Sequence, residues 1–324
     1  MALGGSGITR SLDAATSYDG NYPGYSSGSA NAYIPVLFAK KMLRRFYAES
    51  CYQMISNTDY EGTINKMGDQ VIIRKAPQMT INDYTIGQTL SYEVPSAAFV
   101  ELNIDSAKYW AYRIDDIDAL ATDLALMNEF TSNAASQLEV TIDTAVLAKF
   151  AAGAAAANKG AAAGAISGDI NLGVSATGVS ITGGSTGNAV DFLVDCNQVL
   201  DEQNIPNEGR WASVPAWFVS QLKTGELRRA DVTGDGTGAI RSGVVGMVDK
   251  FTVIRSNNLP WDAVNSESTM LFGTKEANTF AMQLTNTETL RIPDSFGEYA
   301  RGLAVYGAQT VQPTAMGVGI VKRG

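Results

Sequence analysis

The 324-residue chain is 45% hydrophobic and 18% charged, a globular composition large enough for one large or two ordinary domains. Its net charge of −9 argues against a protein whose main work is neutralising phosphates with clustered Lys and Arg. It contains no histidine, which removes Ser-His-Asp, Cys-His and HExxH mechanisms together, because each needs an imidazole that titrates near neutrality or ligates metal.

Residues 1–32 read as an irregular arm rich in Gly, Ser, Ala and Tyr, without the basic start and apolar core of a signal peptide. From Ile34 to Ser50, apolar Ile34, Leu37, Phe38, Met42, Leu43 and Phe46 are interleaved with Lys40, Lys41, Arg44 and Arg45, the pattern of a short amphipathic helix. Its basic side is either a contact face for a neighbouring subunit or an ordinary solvated face. Two β-rich runs follow, Gln70 to Lys75 and Phe99 to Asp105. In the second, Val100, Leu102 and Ile104 alternate with Glu101, Asn103 and Asp105. More than twenty residues connect them, too many for the hairpin loops of compact domains, so the pair reads as a long exposed excursion.

From Asp115 to Ala152 there is neither glycine nor proline. Ile117, Leu120, Leu124, Met127, Leu138, Ile142, Val146 and Phe150 mark one stripe, predicting a helix with Asp115, Asp116 and Asp118 at its positive end. At 1.5 Å per residue it would run for about 57 Å, whereas a globule of this chain length is only about 50 Å across. Either Thr131, Ser132 and Asn133 break it, or the subunit is extended. Residues 151–187 are dominated by Ala and Gly and predict a thinly structured connection. A second helix is expected after an Asn188 N-cap, with Val190, Leu193, Val194 and Leu200 on one side. Beyond it, short strands, a helix from Pro215 and the loop "DVTGDGTGAIRSG" predict a mixed α/β domain, and the chain closes with the β-rich "RGLAVYGAQTVQPTAMGVGIVK".

No catalytic constellation emerges. The two G-x-S-x-G matches, at Gly24 and Gly183, sit in Gly/Ser-rich segments without a strand-to-helix context. The glycines around Gly234 fit neither a P-loop nor a dinucleotide fingerprint, and Ser242 stands where a calcium loop needs a bidentate Glu. Cys51 and Cys196 are far apart and outside any CxxC pair, so neither a disulfide framework nor a thiolate zinc site is readable. No apolar run approaches the roughly 20 residues of a membrane span. The reading is of a non-enzymatic chain with no cofactor or metal.

An arm, a two-stranded excursion, an oversized helix and a separate α/β domain, in that order, resemble the major capsid proteins of tailed bacteriophages, with the Hong Kong 97-type fold. The resemblance covers nearly the whole chain. It rests on "NTDYEGTINKMGDQVIIRK" followed by "TINDYT", "DSAKYWAYRIDDID", "LDEQNIPNEGRWASVPAWFVSQL", "GVVGMVDKFTVIRSNNLP" and "GLAVYGAQTVQPTA".

The resemblance implies an α+β fold divided into an N-terminal arm with its short helix (1–58), an E-loop (59–108), a peripheral domain with a spine helix and an Ala/Gly-rich connection (109–187), an axial domain (188–272) and return strands to the peripheral domain (273–324). It implies pentamers and hexamers closing an icosahedral shell around a double-stranded DNA genome, assembled in the bacterial host cytoplasm. Implied partners are a scaffolding protein, a portal protein and DNA contacted non-specifically, with room for a cement or decoration protein. Inter-subunit contacts are expected from Lys40, Lys41, Arg44 and Arg45, from Arg74, Lys75, Tyr84 and Tyr92 of the E-loop, and from Asp231, Asp235 and Arg241 of the loop at the capsomer centre. Pro77 to Val94 holds no lysine, which speaks against crosslinking through an E-loop lysine. No long helical leader precedes the arm, so scaffolding is expected from a separate protein. The rival readings are an encapsulin-like shell, a histidine-free carboxylate enzyme and a surface adhesin.

Overall fold

The computed structural model describes residues 47–59, 70–77, 79–94, 98–115, 126–183, 187–224, 246–291 and 296–324. The two β-rich runs of the excursion form an antiparallel pair, β1 (Gln70–Arg74) and β2 (Phe99–Asn103), with Gln70 opposite Asn103 and Arg74 opposite Phe99. Alternation decides which side is buried: Ile73, Leu102 and Ile104 pack with Ala281, Val305 and Val311, while Glu101, Asn103 and Asp105 stay in water.

The helix expected from Asp115 does not include that residue, and its stretch 116–125 lies outside the described residues. Ser106–Asp115 is a strand, β3, and the described helix, α2, runs from Leu126 to Gly153; α1 is the single helical turn Tyr52–Ile55. Absence of Gly and Pro is permissive for either structure. Tyr109, Trp110 and Tyr112 favour a strand, in which even-numbered residues face α2: Tyr112 meets Phe130 edge-on at 5.7 Å and its hydroxyl lies 2.5 Å from Thr131 Oγ1. Asp115 therefore ends a strand and does not cap a helix; Asp116 and Asp118 fall outside the described residues. The 28 residues of α2 span about 42 Å. The helix is unbroken across Thr131–Asn133, where Thr131 donates back to the Met127 carbonyl at 2.7 Å. Of the amphipathic helix expected from Ile34, residues to Phe46 are outside the described set, and Tyr47–Ser50 are not helical.

Two sheets organise the rest. β10 (Asn278–Arg291), β11 (Gly297–Thr310) and β3 make a three-stranded sheet in the order β10-β11-β3. A seven-stranded sheet has the order β4 (Val179–Ile181), β12 (Met316–Arg323), β9 (Glu267–Thr274), β5 (Arg210–Val214), β7 (Phe251–Arg255) and β6 (Met247–Val248), with β8 (Trp261–Asp262) also pairing with β9. Helices α3 (Ala189–Glu202) and α4 (Ala216–Thr224) complete its core, in which Phe192, Leu193, Leu200, Phe218, Phe251 and Phe272 are buried. Val194, expected on the apolar side of α3, is instead 45% exposed. Asn188 does not cap α3 with its side chain; it accepts from Thr182 N and donates to the Ser180 carbonyl, both at 2.9 Å. Among the described residues no helix is long and apolar enough to cross a membrane.

Residues 151–187 are not the thin connection their composition suggests. Ile170, Leu172 and Ile181 enter the core beside α3, and β4 pairs in parallel with β12. Few apolar residues suffice because carboxylates fix the backbone between them. Buried Glu267 accepts from Ala176 N at 3.0 Å and Gly178 N at 2.6 Å. Glu202 accepts from Ile166 N at 2.8 Å and Ser167 N at 3.1 Å, and these backbone hydrogen bonds pull its carboxyl down to about 2. A depressed carboxyl contributes its stability above the ordinary value and loses it as pH falls through the folded one. Protection of the Ile166 and Ser167 amides, corrected for intrinsic exchange, should therefore persist at neutral pH and disappear between the ordinary 4.5 and about 2; hydrogen exchange on Glu202→Gln should find it weakened at neutral pH and without that pH dependence. The closing strands divide as well. β11 joins the three-stranded sheet, and β12 inserts between β4 and β9 in the other sheet.

Candidate inter-subunit surfaces

The β1–β2 ladder ends one pair beyond Arg74, where Lys75 N donates to the Ala98 carbonyl at 2.8 Å. Past it, residues 79–94 carry no regular secondary structure beyond a turn, and no ladder joins the two limbs on either side of it. The reversal is a turn closed by Gln88 N donating to the Thr85 carbonyl at 3.0 Å, with Gly87 at φ +88° in its third position. That conformation is the one a type II turn asks of glycine, and a Cβ there would meet nothing within 4 Å, so the requirement is purely conformational.

Met79, Ile81, Tyr84, Ile86, Leu90, Tyr92 and Val94 all stand in water along these limbs, Ile86 completely and Ile81, Tyr92 and Val94 nearly so. A single exposed apolar side chain needs no explanation, but a continuous run of them marks an interaction surface. Of the residues singled out by sequence, Tyr84 and Tyr92 belong to this run, and Arg74 (exposed) and Lys75 (half-buried) lie at the neck below it. The aliphatic members were not singled out, although Leu90, Tyr92 and Val94 alternate as a strand does. Lys40, Lys41, Arg44, Arg45, Asp231, Asp235 and Arg241 lie outside the described residues.

A second surface is the face of the three-stranded sheet that α2 does not cover. The β1–β2 stem packs over part of it, at Val305 and Ala281, with Leu303 at the border. Beyond Leu303 the face opens into a shallow cavity of about 420 Å³ lined by Tyr109, Ala111, Asn286, Glu288, Arg301 and Leu303. Glu288 is engaged there by Arg301 at 2.7 Å and by Asn286 at 2.8 Å, and this pairing holds its carboxyl below the usual range.

The root of the arm is a third constellation, which local sequence does not disclose. Asp143, fully buried on α2, accepts from Cys51 N at 3.2 Å, Tyr52 N at 2.9 Å and Asn258 Nδ2 at 2.7 Å, and the same Asn258 amide donates to the Glu49 carbonyl at 3.3 Å. The segment is held further by Tyr52 against Phe280, ring centroids 4.6 Å apart, and by Asn57 pairing with Thr279. Burial pushes the Asp143 carboxyl up, and burial beside Asp143 pushes the Cys51 thiol up to about 11, so that thiol is a packed neutral group and not a nucleophile.

Known proteins share this architecture. A family model described as phage capsid protein matches residues 101–318. Among solved structures, the chain is similar to one from Mycobacterium phage Che8, at 26% identity and a TM-score of 0.72, covering 89% of this chain and 97% of that one. The capsid of Cyanophage P-SCSP1u is similar at 16% identity and a TM-score of 0.67, over 91% and 94% of the two chains. The capsid asymmetric unit of Cyanophage Pam1 is similar at 11% identity and a TM-score of 0.65, over 89% and 97%. No curated protein matches the sequence. With two thirds of its length under one family model and its fold that of Hong Kong 97-type shells, the chain belongs to the phage capsid protein family and is a tailed-phage major capsid protein, assembling with its own copies into the virion shell.

Proposed function

We propose that the chain works as pentamers and hexamers in which residues 59–108 act as an E-loop clasping a neighbour, α2 is the spine of a peripheral domain, and the sheet built around 188–272, extended by β4 and β12, is the axial domain. The observation that carries this is the run of seven large apolar side chains exposed between Met79 and Val94. A subunit that keeps such a run in water gains its stability on assembly, through many repeated contacts that are individually weak. Lys40, Lys41, Arg44, Arg45, Arg74, Lys75, Tyr84, Tyr92, Asp231, Asp235 and Arg241 belong to the contacts we assign between subunits.

The shell encloses double-stranded DNA, touching it non-specifically, and is built in the host cytoplasm with a scaffolding protein and a portal, a decoration protein being a further partner. Its role is structural and not enzymatic, in keeping with a histidine-free chain.

Sedimentation followed by electron microscopy tests the reading: the chain, alone or with its scaffolding protein, should give closed particles tens of nanometres across, and small rings only under both conditions would sink it. Ile81→Asp with Ile86→Asp should abolish closure while leaving urea denaturation of the unassembled subunit within about 0.5 kcal/mol of the parent, because both side chains are already solvated. Normal particles from this variant would remove the excursion from the contact set.

A further inference from the structure

The two sheets are joined where several crossings of the chain converge. The chain passes from the larger sheet to the smaller between β9 and β10, through the single turn Lys275–Ala277, and returns between β11 and β12, through Pro313–Ala315. These crossings lie side by side: Val311 N and Gln312 N both donate to the Ala277 carbonyl, at 2.8 and 3.1 Å. The chain leaving α2 reaches the same place, where Ala155 N donates to the Pro313 carbonyl at 3.1 Å. Because α2 packs along β3 and β11, it belongs with the smaller sheet. Short crossings gathered in one place make a hinge, since only a few backbone angles have to change for the layers on either side to turn.

Residues 49–57 tie the two sides together. On the larger sheet, Asn258, just past β7, donates to the Glu49 carbonyl at 3.3 Å, and Cys51 Sγ lies 3.8 Å from Ser213 Oγ of β5. On the smaller sheet, Asn57 N donates to the Asn278 carbonyl at 2.8 Å, and the Asn57 carbonyl accepts from Phe280 N at 3.0 Å and Thr279 Oγ1 at 3.1 Å. Between these ends Asp143 of α2 takes the amides of Cys51 and Tyr52. Cys51, Tyr52 and Ile55 fill a core to which both sides contribute, Phe280 and Tyr306 from the smaller sheet and Trp211 and Leu271 from the larger. Only Tyr52–Ile55 is helical, so the conformation of the segment is imposed by its seat. A stretch held in that way opens and closes as one local unit.

We propose that residues 49–57 are a releasable brace across this hinge: seated, they fix the angle between the two sheets, and unseated, they leave that angle free to change. Asn258 is the positioning residue of the seat, because one amide group serves Asp143 on the smaller-sheet side and the Glu49 carbonyl of the brace while its own backbone belongs to the larger sheet. The β1–β2 stem packs on Ala281 and Val305 of the smaller sheet, so the angle also sets the direction in which the excursion leaves relative to the larger sheet. The brace thereby converts the state of a nine-residue stretch into the shape of the whole subunit. The inference concerns the single subunit and holds whatever surface the excursion meets.

Hydrogen exchange of the unassembled full chain carrying Asn258→Ala tests it. The amides of Tyr52, Asn57 and Phe280 and those of the hinge, Val311 and Gln312, should all exchange about tenfold faster or more than in the parent, while the ladder amides inside β9 and β11 keep their protection. Acceleration confined to residues 49–57 would reduce the segment to a fraying end and overturn the brace; equal acceleration throughout both sheets would make it an ordinary part of the core and overturn it too. A distance measurement reads the angle itself. Spin labels on Thr289→Cys of the smaller sheet and Val264→Cys beside the larger one, both exposed positions, are placed in a Cys51→Ser background whose hydroxyl can still donate to Asp143; Cys196 is buried and stays unlabelled. The labels should give one narrow distance distribution with Asn258 in place and a broadened or shifted one with Asn258→Ala. An unchanged distribution refutes the proposal.

Discussion

Asp143→Ala is expected to cost the unassembled subunit about 3 kcal/mol in urea denaturation, far more than a solvent-facing helix position would. The carboxylate is the acceptor for three buried donors, Cys51 N, Tyr52 N and Asn258 Nδ2, and alanine leaves all three without a partner. The loss should be concentrated where the arm enters the fold, so hydrogen exchange should show the amides of Cys51 and Tyr52 opening first. Asp143→Asn separates charge from hydrogen bonding. Its amide oxygen can still accept from both backbone groups, but its nitrogen meets the Asn258 nitrogen, and turning Asn258 over to accept would forfeit the bond to the Glu49 carbonyl.

The same variant reads the pH dependence. Because burial raises the Asp143 carboxyl above its ordinary 3.8, the folded chain holds that proton more tightly than the unfolded chain does. This group's contribution to stability therefore grows as pH falls through the folded value and is complete below 3.8, opposite in sign to that of Glu202. Asp143→Asn should lack that gain, so the stability difference between parent and variant must change across this interval if the buried carboxylate is responsible.

The second large effect is expected from Gly173→Ala, about 3 kcal/mol by the same measurement. Gly173 has φ +84°, and a Cβ there would stand 2.2 Å from the Ile320 carbonyl oxygen and 3.1 Å from Val179 N. Neither obstacle is a flexible side chain that could turn away. The backbone must shift where Ile320 N donates to the Leu172 carbonyl at 2.7 Å and where β4 meets β12. Gly87→Ala supplies the contrast, since its φ is similarly positive but the space around it is empty. It should show the conformational cost alone, about 1 kcal/mol. Equal effects at the two glycines would mean that the crowding at Ile320 is relieved elsewhere.

What was legible in the sequence was whatever depends on near neighbours. Val100, Leu102 and Ile104 announced β2 because alternation alone sorts them, and Leu138, Ile142, Val146 and Phe150 announced the buried side of α2 because one helical period does. Of the helix expected from Asp115, that first residue instead ends β3, where it pairs with Gly297 of β11, a contact no local pattern encodes; residues 116–125 lie outside the described set. Asp143 was invisible for a different reason. Its donors sit 92, 91 and 115 residues away in the chain, and no local pattern encodes a contact of that separation. The Ala/Gly-rich segment failed similarly, since Ile170, Leu172 and Ile181 are sparse along the chain and become a core only beside α3 and β12. Of the contact surface, Tyr84 and Tyr92 stood out by residue type, whereas Ile81 and Ile86 acquire meaning only once their exposure is known.

The position of β12 bears on when a newly made subunit becomes competent. That strand lies between β4 and β9, which precede it by more than a hundred and by roughly forty residues, and β10 and β11 are synthesised in the interval. The larger sheet cannot close until residue 323 has cleared the ribosome, so its completion is a late event with long loops to close. Until then β4 and β9 expose edges of their own. A polysome thus carries growing chains whose excursions are finished but whose second sheet is open, at the high local concentration that favours mispairing. The late strand makes the arrival of residues 316–323, and not the appearance of the adhesive loop, the moment at which a chain becomes a building block.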